Sequence, residues 1–255
     1  MTAARGFLGS GDLYIARYNP ATAQFDDWQG PYAATKFEIK PNTELKELVS
    51  KGRTTYGQVL ESVPIQKPAD FTVELSEVNR ESLTIALLGT VSVINSAGGS
   101  VTDEVVVAKL GAWKQLSKQN LSAAGLVVTN SAGSVTYALG ADYEVNYRLG
   151  MIRAIAGGAI ADASSLKVDF TYNAISGTKI AGGTNAQIRA KFRLDGENFA
   201  DGLPCIVNIH EGIVAADAAF DFLSSDFNNV SLPGRMKTPV GYAEPFTVEL
   251  RDTAS

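Results

Sequence analysis

Apolar and polar side chains alternate one for one in four segments: KFEIK (Lys36 to Lys40), FTVEL (Phe71 to Leu75), QIRAKFRLD (Gln187 to Asp195) and a second FTVEL (Phe246 to Leu250). A period of two places every other side chain on the same face of an extended chain. Each segment is therefore predicted to be a strand of an antiparallel sheet, with one face buried and one wet. The repeated pentapeptide is read as two good strands built from one small alphabet rather than as a duplication. Helical spacing occurs in SEVNRESLTIALLG, Ser76 to Gly89. Asn79 or Ser76 suits the N-cap, Glu77 and Glu81 suit the positive end of the dipole, and Gly89 suits the position just past the end. Leu83, Ala86 and Leu87 form its apolar face and Ile85 and Leu88 widen it, which predicts a helix lying against a sheet.

After Gly89 the texture changes. TVSVINSAGGSVTDE is rich in Ser, Gly and Thr and reads as a linker. Beyond it VVVAKL, GLVVT, SVTYAL, DYEVNYRL, MIRAI and LKVDFTY follow one another with turn signals between them, the spacing of a small β-sandwich or barrel. AISGTKIAGGTN then returns the chain to alternating strands that carry more charge. The expected organisation is mainly β: a sandwich or rolled sheet with one flanking helix over residues 1–90 and 179–255, and a small Ig-like β-sandwich inserted over residues 91–178. Insertion at a loop whose ends lie close together disturbs a fold little.

The connection from Asn42 to Pro68 stands out, because a tight hairpin needs only two to five residues with turn formers at set positions. It is charged (Glu44, Lys46, Glu47, Lys51, Arg53, Glu61) yet studded with Leu45, Leu48, Val49, Tyr56 and Leu60. The charges keep it soluble in a free subunit. Two readings remain open for the apolar anchors: a second subunit covers them, or the connection folds over its own subunit.

Composition narrows the field only a little. With 255 residues, 45% hydrophobic and 19% charged, the chain can bury a core. A net charge of −5 disfavours a sequence-reading nucleic-acid binder, whose footprint is basic. A single cysteine, Cys205 in LPCIVNI, excludes an internal disulfide and reads as a buried small hydrophobe. No run approaches 18 apolar residues and MTAARGFLGSGDLY lacks a signal peptide's apolar centre, so a cytoplasmic site of synthesis and no membrane are expected.

Catalytic chemistry finds little footing. The one histidine, His210, has no nucleophile elbow of the G-x-S-x-G kind to serve and is read as structural, at a strand end. One His and one Cys do not build a zinc site, and Asp26-Asp27 and Asp103-Glu104 lack the spacing of a calcium loop, so neither metal nor cofactor is expected. The glycines of GFLGSGD lack the strand and helix of a phosphate loop and read as a mobile N-terminal arm. Tyr143, Val145 and Tyr147 share one face of YEVNY, a core ladder or, alternatively, a stacking platform for a ligand.

The segment ELKELVSKGRTTYGQVLESVPIQKPADFTVELSEVNRESLTIALLG resembles the major tail tube proteins of long-tailed, non-contractile bacteriophages. The shared order is a charged loop, a V-x-I-x-K-P strand, an alternating strand, then E-x-N-x-E-x-L-x-x-A-L-L-G. FDFLSSDFNNVSLPGRMKTP is similar to a later part of that family's pattern, and YALGADYEVNYRLGMIRAIAGG resembles β-modules of phage tail proteins. The resemblance implies a structural virion protein, not an enzyme. Six copies would form a ring, and rings would stack into a tube guiding the tape measure protein and then double-stranded DNA, with tail terminator and baseplate or tip proteins at its ends. It further implies that Glu44, Leu45, Lys46, Glu47, Leu48, Val49, Lys51, Arg53, Tyr56 and Leu60 meet the neighbouring ring. Simple members of that family lack an insertion after the helix.

Geometry is compatible with a pore. Four strands from each of six subunits, spaced about 4.8 Å apart, close a circumference of roughly 115 Å, a backbone diameter of about 37 Å. The polar faces of the alternating strands supply candidate lumen residues: Lys36, Glu38, Lys40, Glu74, Arg189, Lys191, Arg193 and Glu249. A channel that passes DNA must not hold phosphates, so these bases are expected to be neutralised by neighbours, with Glu74 and Glu249 as partners, and the lumen to be net negative. A different reading makes the chain a carbohydrate-binding or adhesin module using the insert's Tyr and Trp residues.

Overall fold

The computed structural model describes residues 6–215 and 219–252. Among the described residues the protein is mainly β with a single helix, and it folds as two compact units, Met1–Val91 with Ile180–Ser255, and Ser92–Lys179.

In chain order the first unit contains β1 (Gly9–Asn19), β2 (Gln24–Phe25), β3 (Gln29–Val49), β4 (Val59–Leu75) and α1 (Arg80–Ala86). The chain crosses to the second unit through β5 (Thr90–Ser96). That unit contains β6 (Gly99–Val107), β7 (Trp113–Gln115), β8 (Val127–Asn130), β9 (Tyr143–Asn146), β10 (Met151–Ala154) and β11 (Ser165–Tyr172). The chain returns through β12 (Ile175–Ala181), which pairs with β5, and ends with β13 (Ile188–Asn198), β14 (Leu203–Val214), β15 (Val230–Met236) and β16 (Phe246–Leu250).

Six strands of the first unit form a closed antiparallel circuit. β13 pairs with β1, β1 with β3, β3 with β4, β4 with β15, β15 with β14, and β14 again with β13. β14 is long enough to serve two partners on one edge: Gly212 to Val214 face β15, and Cys205 to Ile209 face β16. The four alternating segments lie in β3, β4, β13 and β16; in β16 only Phe246 packs against the core and Val248 and Leu250 are exposed, whereas the apolar residues of the other three meet inside. Leu13, Phe71, Val73, Phe192, Ile209 and Leu232 are fully buried there, with the Phe71 and Phe192 rings 5.0 Å apart. The Phe71 ring lies so close to β14 and β15 that a Cβ on Gly212 or Gly234 would come within 2.7 or 2.5 Å of it. At Gly234 the same Cβ would also meet the Ile213 carbonyl at 2.4 Å.

α1 is shorter than its pattern predicts. Asn79 caps it, its side chain accepting from the Ser82 N–H at 2.9 Å while the Ser82 hydroxyl accepts from the Asn79 N–H at 3.0 Å. The buried face is Ser82, Thr84 and Ile85, continued by Leu88, rather than Leu83, Ala86 and Leu87. Leu88, not Gly89, takes the left-handed conformation that ends the helix (φ 46°). Gly89 is needed for another reason: a Cβ there would press on the Ala181 carbonyl at 3.0 Å.

The second unit stacks two three-stranded sheets, β7–β10–β9 and β6–β11–β8, over one core in which Val128, Val168, Phe170, Tyr143 and Ile152 are buried. Three plus three strands differ from the seven of an immunoglobulin constant-type sandwich. Several local expectations need correction. TVSVINSAGGSVTDE is not a linker: its β-branched residues form β5 and the start of β6. SVTYAL forms no strand and contributes only two isolated bridges, Thr136 to Thr129 and Leu139 to Tyr143. The glycines of GFLGSGD are no mobile arm from Gly9 onward, because β1 starts there, paired residue for residue with β13. Gly11 lies so close to Asp195 that a Cβ would come within 2.5 Å of its carbonyl oxygen.

Replacing Gly234 by Ala forces either the Phe71 ring or the β14–β15 pairing to shift. The expected loss is roughly 1–3 kcal/mol, read as a lower urea midpoint with an unchanged slope.

Candidate functional site

The Asn42–Gln66 connection is not a loop. β3 and β4 continue past the closed circuit as a two-stranded antiparallel arm, in register from Asn42 opposite Lys67 to Leu48 opposite Glu61, with one irregularity before Val49 meets Val59. Neither outer edge of this arm is paired among the described residues: β1 reaches β3 only at Gln29 to Ala33, and β15 reaches β4 only at Asp70 to Leu75. Opposed residues share a face, so Leu45 sits with Pro64 on one side, while Leu48 shares the other with Val63 and Ile65. Both faces therefore carry large apolar groups, and Leu45, Leu48, Val49, Leu60, Val63 and Ile65 are exposed. A lone two-stranded ribbon is marginal in water.

The tip is tightly made. Ser50 and Gln58 share a backbone bond, Gly57 (φ 84°) donates to the Ser50 carbonyl, and the Ser50 and Thr55 hydroxyls lie 2.6 Å apart. That frame holds Lys51, Arg53 and Tyr56 outward, with Tyr56 78% exposed. Lower on the arm Glu44 ion-pairs with Lys67 and, at 3.5 Å, with Lys46. The hydrogen bond from Lys67 is the main cause holding its carboxyl below the usual range. Glu47 is exposed on the opposite face of the arm, the one that carries Leu45.

The eight candidate lumen residues do not share a surface. Lys36, Glu38, Lys40 and Glu74 lie on the outer face of β3 and β4, whereas Arg189, Lys191, Arg193 and Glu249 lie on the outer face of β13, β14 and β16. In the closed circuit these are opposite walls, whose outer faces look away from each other. On the β3–β4 wall Lys36 pairs with Glu38 at 2.7 Å, Glu74 stands opposite Lys36 in register, and Asp70 stands opposite Lys40. The Glu38 hydrogen bond raises the Lys36 pKa, and the same bond lowers that of Glu38.

On the other wall the bases have partners that the sequence reasoning did not name. Arg189 binds neither Glu74 nor Glu249; its Nε donates to Glu211 Oε1 at 2.7 Å. Three aromatic side chains from β1, β2 and the turn beyond cover the three cations in order. The Arg189 guanidinium lies 3.9 Å from the Tyr18 ring centre, the Lys191 ammonium 4.4 Å from Phe25, and the Arg193 guanidinium 4.9 Å from Trp28. Arg193 also donates to Asn208 Oδ1 at 2.6 Å, and Glu249 pairs with Arg251 at 3.5 Å.

Among the described residues Glu211 is the one buried carboxylate of this unit, 2% exposed, and it takes a second ion pair from Lys237 at 3.2 Å. A bulge puts it there: between Ala190 and Phe192 the single residue Lys191 faces both His210 and Glu211. Burial would raise the Glu211 pKa, but the hydrogen bonds and charges of Arg189 and Lys237 outweigh it and hold the carboxyl below its ordinary range. The signal was a slip of the alternation in NIHEGIV, where a charge falls on the phase of Val207 and Ile209.

His210 lies in the middle of a sheet pairing rather than at a free strand end. It stacks on Tyr242 with ring centres 4.1 Å apart, and burial pushes its pKa down. Its Nε2 is 3.9 Å from Glu244 and has no hydrogen-bond partner among the described residues. Cys205 is buried, and burial raises its thiol pKa. In the second unit Tyr143 is core, with Val145 and Tyr147 packed against it, and Arg153 covers the Trp113 ring at 4.8 Å. Among the described residues no three His, Cys, Asp or Glu side chains are grouped to hold a metal, and no helix is long and apolar enough to cross a membrane.

The first unit is thus a closed β-circuit bearing a long two-sided arm, with bases on its outer walls paired with carboxylates and aromatic rings. Residues 6–237 match the family described as Protein of unknown function UCP028589, and the chain belongs to that family. No curated protein matches it.

Because the folded pKa of Glu211 is depressed, its stabilising effect is present above the unfolded carboxylate range and is lost as pH falls through the folded value. Glu211→Gln is expected to cost roughly 1–3 kcal/mol at neutral pH. The gap between variant and parent should narrow as the pH is lowered below 4 (about the ordinary Glu value), measured by urea unfolding across pH.

Proposed function

We propose that this chain is a structural subunit of a phage tail tube, not an enzyme, whose copies form hexameric rings that stack into a conduit for tape measure protein and DNA. It would be made in the host cytoplasm, retained in the virion tail, and bounded by terminator and baseplate or tip proteins. The observation that carries this reading is the arm. It exposes apolar groups on both faces and leaves strand edges open, a surface that gains its burial from another copy. The resemblance of residues 36–90 to tail tube proteins supports the same reading.

Only one wall of the barrel can face the bore, and the β3–β4 wall is assigned to it. Each lysine there has a carboxylate beside or opposite it, so phosphates find little net positive charge to displace counterions. On the opposite wall the rings over Lys191 and Arg193 leave their charge intact. An adhesin reading gains no comparable support, since the exposed Trp113 ring is already covered by Arg153.

Electron microscopy of the purified protein tests the proposal. Tubes or six-fold rings are expected, and replacing residues 44–65 by a short turn should leave a folded monomer. A discrete monomer at every concentration and salt condition defeats the reading. In assembled tubes, Glu38→Lys with Glu74→Lys is expected to make the bore retain DNA in a salt-sensitive manner, detected as protection from nuclease, whereas the parent tube retains none.

A further inference from the structure

Two exposed features of the first unit stand at opposite ends of its barrel. β4 runs from the arm tip at Val59 to Leu75, and Leu75 pairs with Val230, where the loop before β15 rejoins the sheet. Seventeen residues of β4 at about 3.3 Å each separate the tip from that loop by roughly 55 Å.

The two features are chemically complementary. The tip displays Lys51, Arg53 and Tyr56 and has no carboxylate between Ser50 and Gln58. The loop displays Phe222, Leu223 and Phe227, with Leu223 94% exposed, and has Asp221 and Asp226 but no base between Ala219 and Val230. None of these four charged groups makes an ion pair among the described residues. Local bonds shape the loop: Asp221 Oδ1 accepts from the Leu223 N–H at 2.8 Å, and the Ser224 hydroxyl accepts from the Asp226 N–H at 3.1 Å. Phe222 is braced edge-on by Phe220, their ring centres 4.7 Å apart.

We propose that the arm tip of one copy docks on the Phe222–Phe227 loop of a second copy, Tyr56 packing among Phe222, Leu223 and Phe227 while Lys51 and Arg53 face Asp221 and Asp226. This rests on the self-assembly reading above and names the surface that receives the arm. Apolar burial supplies most of the attraction, and the charges fix orientation and exclude tip-to-tip and loop-to-loop pairing. Because tip and loop differ and lie at opposite ends, every joined copy still offers one of each. Such a heterologous contact propagates without closing on a dimer.

Disulfide trapping tests the contact, since the native Cys205 is buried and Thr54 and Ser225 are exposed beside the two surfaces. Under mild oxidation Thr54→Cys with Ser225→Cys in one chain is expected to give a ladder of dimers, trimers and longer species on a non-reducing gel, while each single variant stays monomeric. Lys51→Glu with Arg53→Glu should abolish the ladder, as should Asp221→Lys with Asp226→Lys, and all four reversals together should restore it. Single variants that cross-link as well as the double, or a ladder indifferent to charge reversal, overturn the proposal. Tubes seen by microscopy without a ladder sink this contact and leave the tube reading standing. A ladder without tubes supports the contact and sinks the tube, and the absence of both removes both.

Discussion

A sheet that closes on itself can use only as much strand as its circumference and tilt allow, and the first unit depends on that limit. β3 and β4 have 21 and 17 residues, yet β15 pairs with only six of those in β4. The surplus has no neighbour inside the circuit and leaves as a ribbon whose two faces are both wet. Folding the apolar residues of that ribbon back over the barrel would break the register that joins Asn42 with Lys67 and Leu48 with Glu61. The arm is thus a by-product of closure, and its hydrophobic load stays outward until something else covers it.

This limit also explains what could be read from the chain beforehand. KFEIK, QIRAKFRLD and the first FTVEL were legible because one face of each meets the Phe71 and Phe192 core and the other meets water, whereas the second FTVEL pairs with β14 as a strand but leaves Val248 and Leu250 exposed. The arm was not, because Leu45, Lys46, Glu47 and Leu48 mix apolar and charged groups on both faces, which erases the period of two. TVSVINS was misread on its serines although Val91 and Val93 alternate. SVTYAL was misread on its β-branched residues although its neighbours spend their backbone bonds in turns. α1 lies within the predicted segment but is shorter than it, and its buried face is Ser82, Thr84 and Ile85 rather than the leucine face that helical spacing suggested.

The charged walls were half legible. Alternation correctly put Lys36, Glu38, Arg189, Lys191 and Arg193 on outer faces, but it carries no information about which wall a strand belongs to. That depends on the β13–β14 pairing that closes the circuit, a contact between strands whose neighbours along the ring are far apart in sequence. Nor does alternation foresee a bulge. The extra residue opposite Lys191 turns Glu211 beneath Arg189 and Lys237, so that one buried carboxylate anchors two bases. The rings of Tyr18, Phe25 and Trp28 complete that wall from the end of β1, from β2 and from the turn beyond, a stretch with no periodicity to read.

The place where the chain departs and comes back has a practical side. Gly183 donates to the Leu87 carbonyl at 2.8 Å and Asn185 to that of Leu88 at 3.0 Å, so outgoing and incoming segments are stapled together before either has travelled far. The close approach of Gly89 to Ala181 tightens the same staple. Whatever is threaded between those two points needs only to present its ends side by side. The barrel thereby acquires a splice port, into which an epitope, a fluorescent reporter or an enzyme can be grafted with the scaffold's own hydrogen bonds left in place.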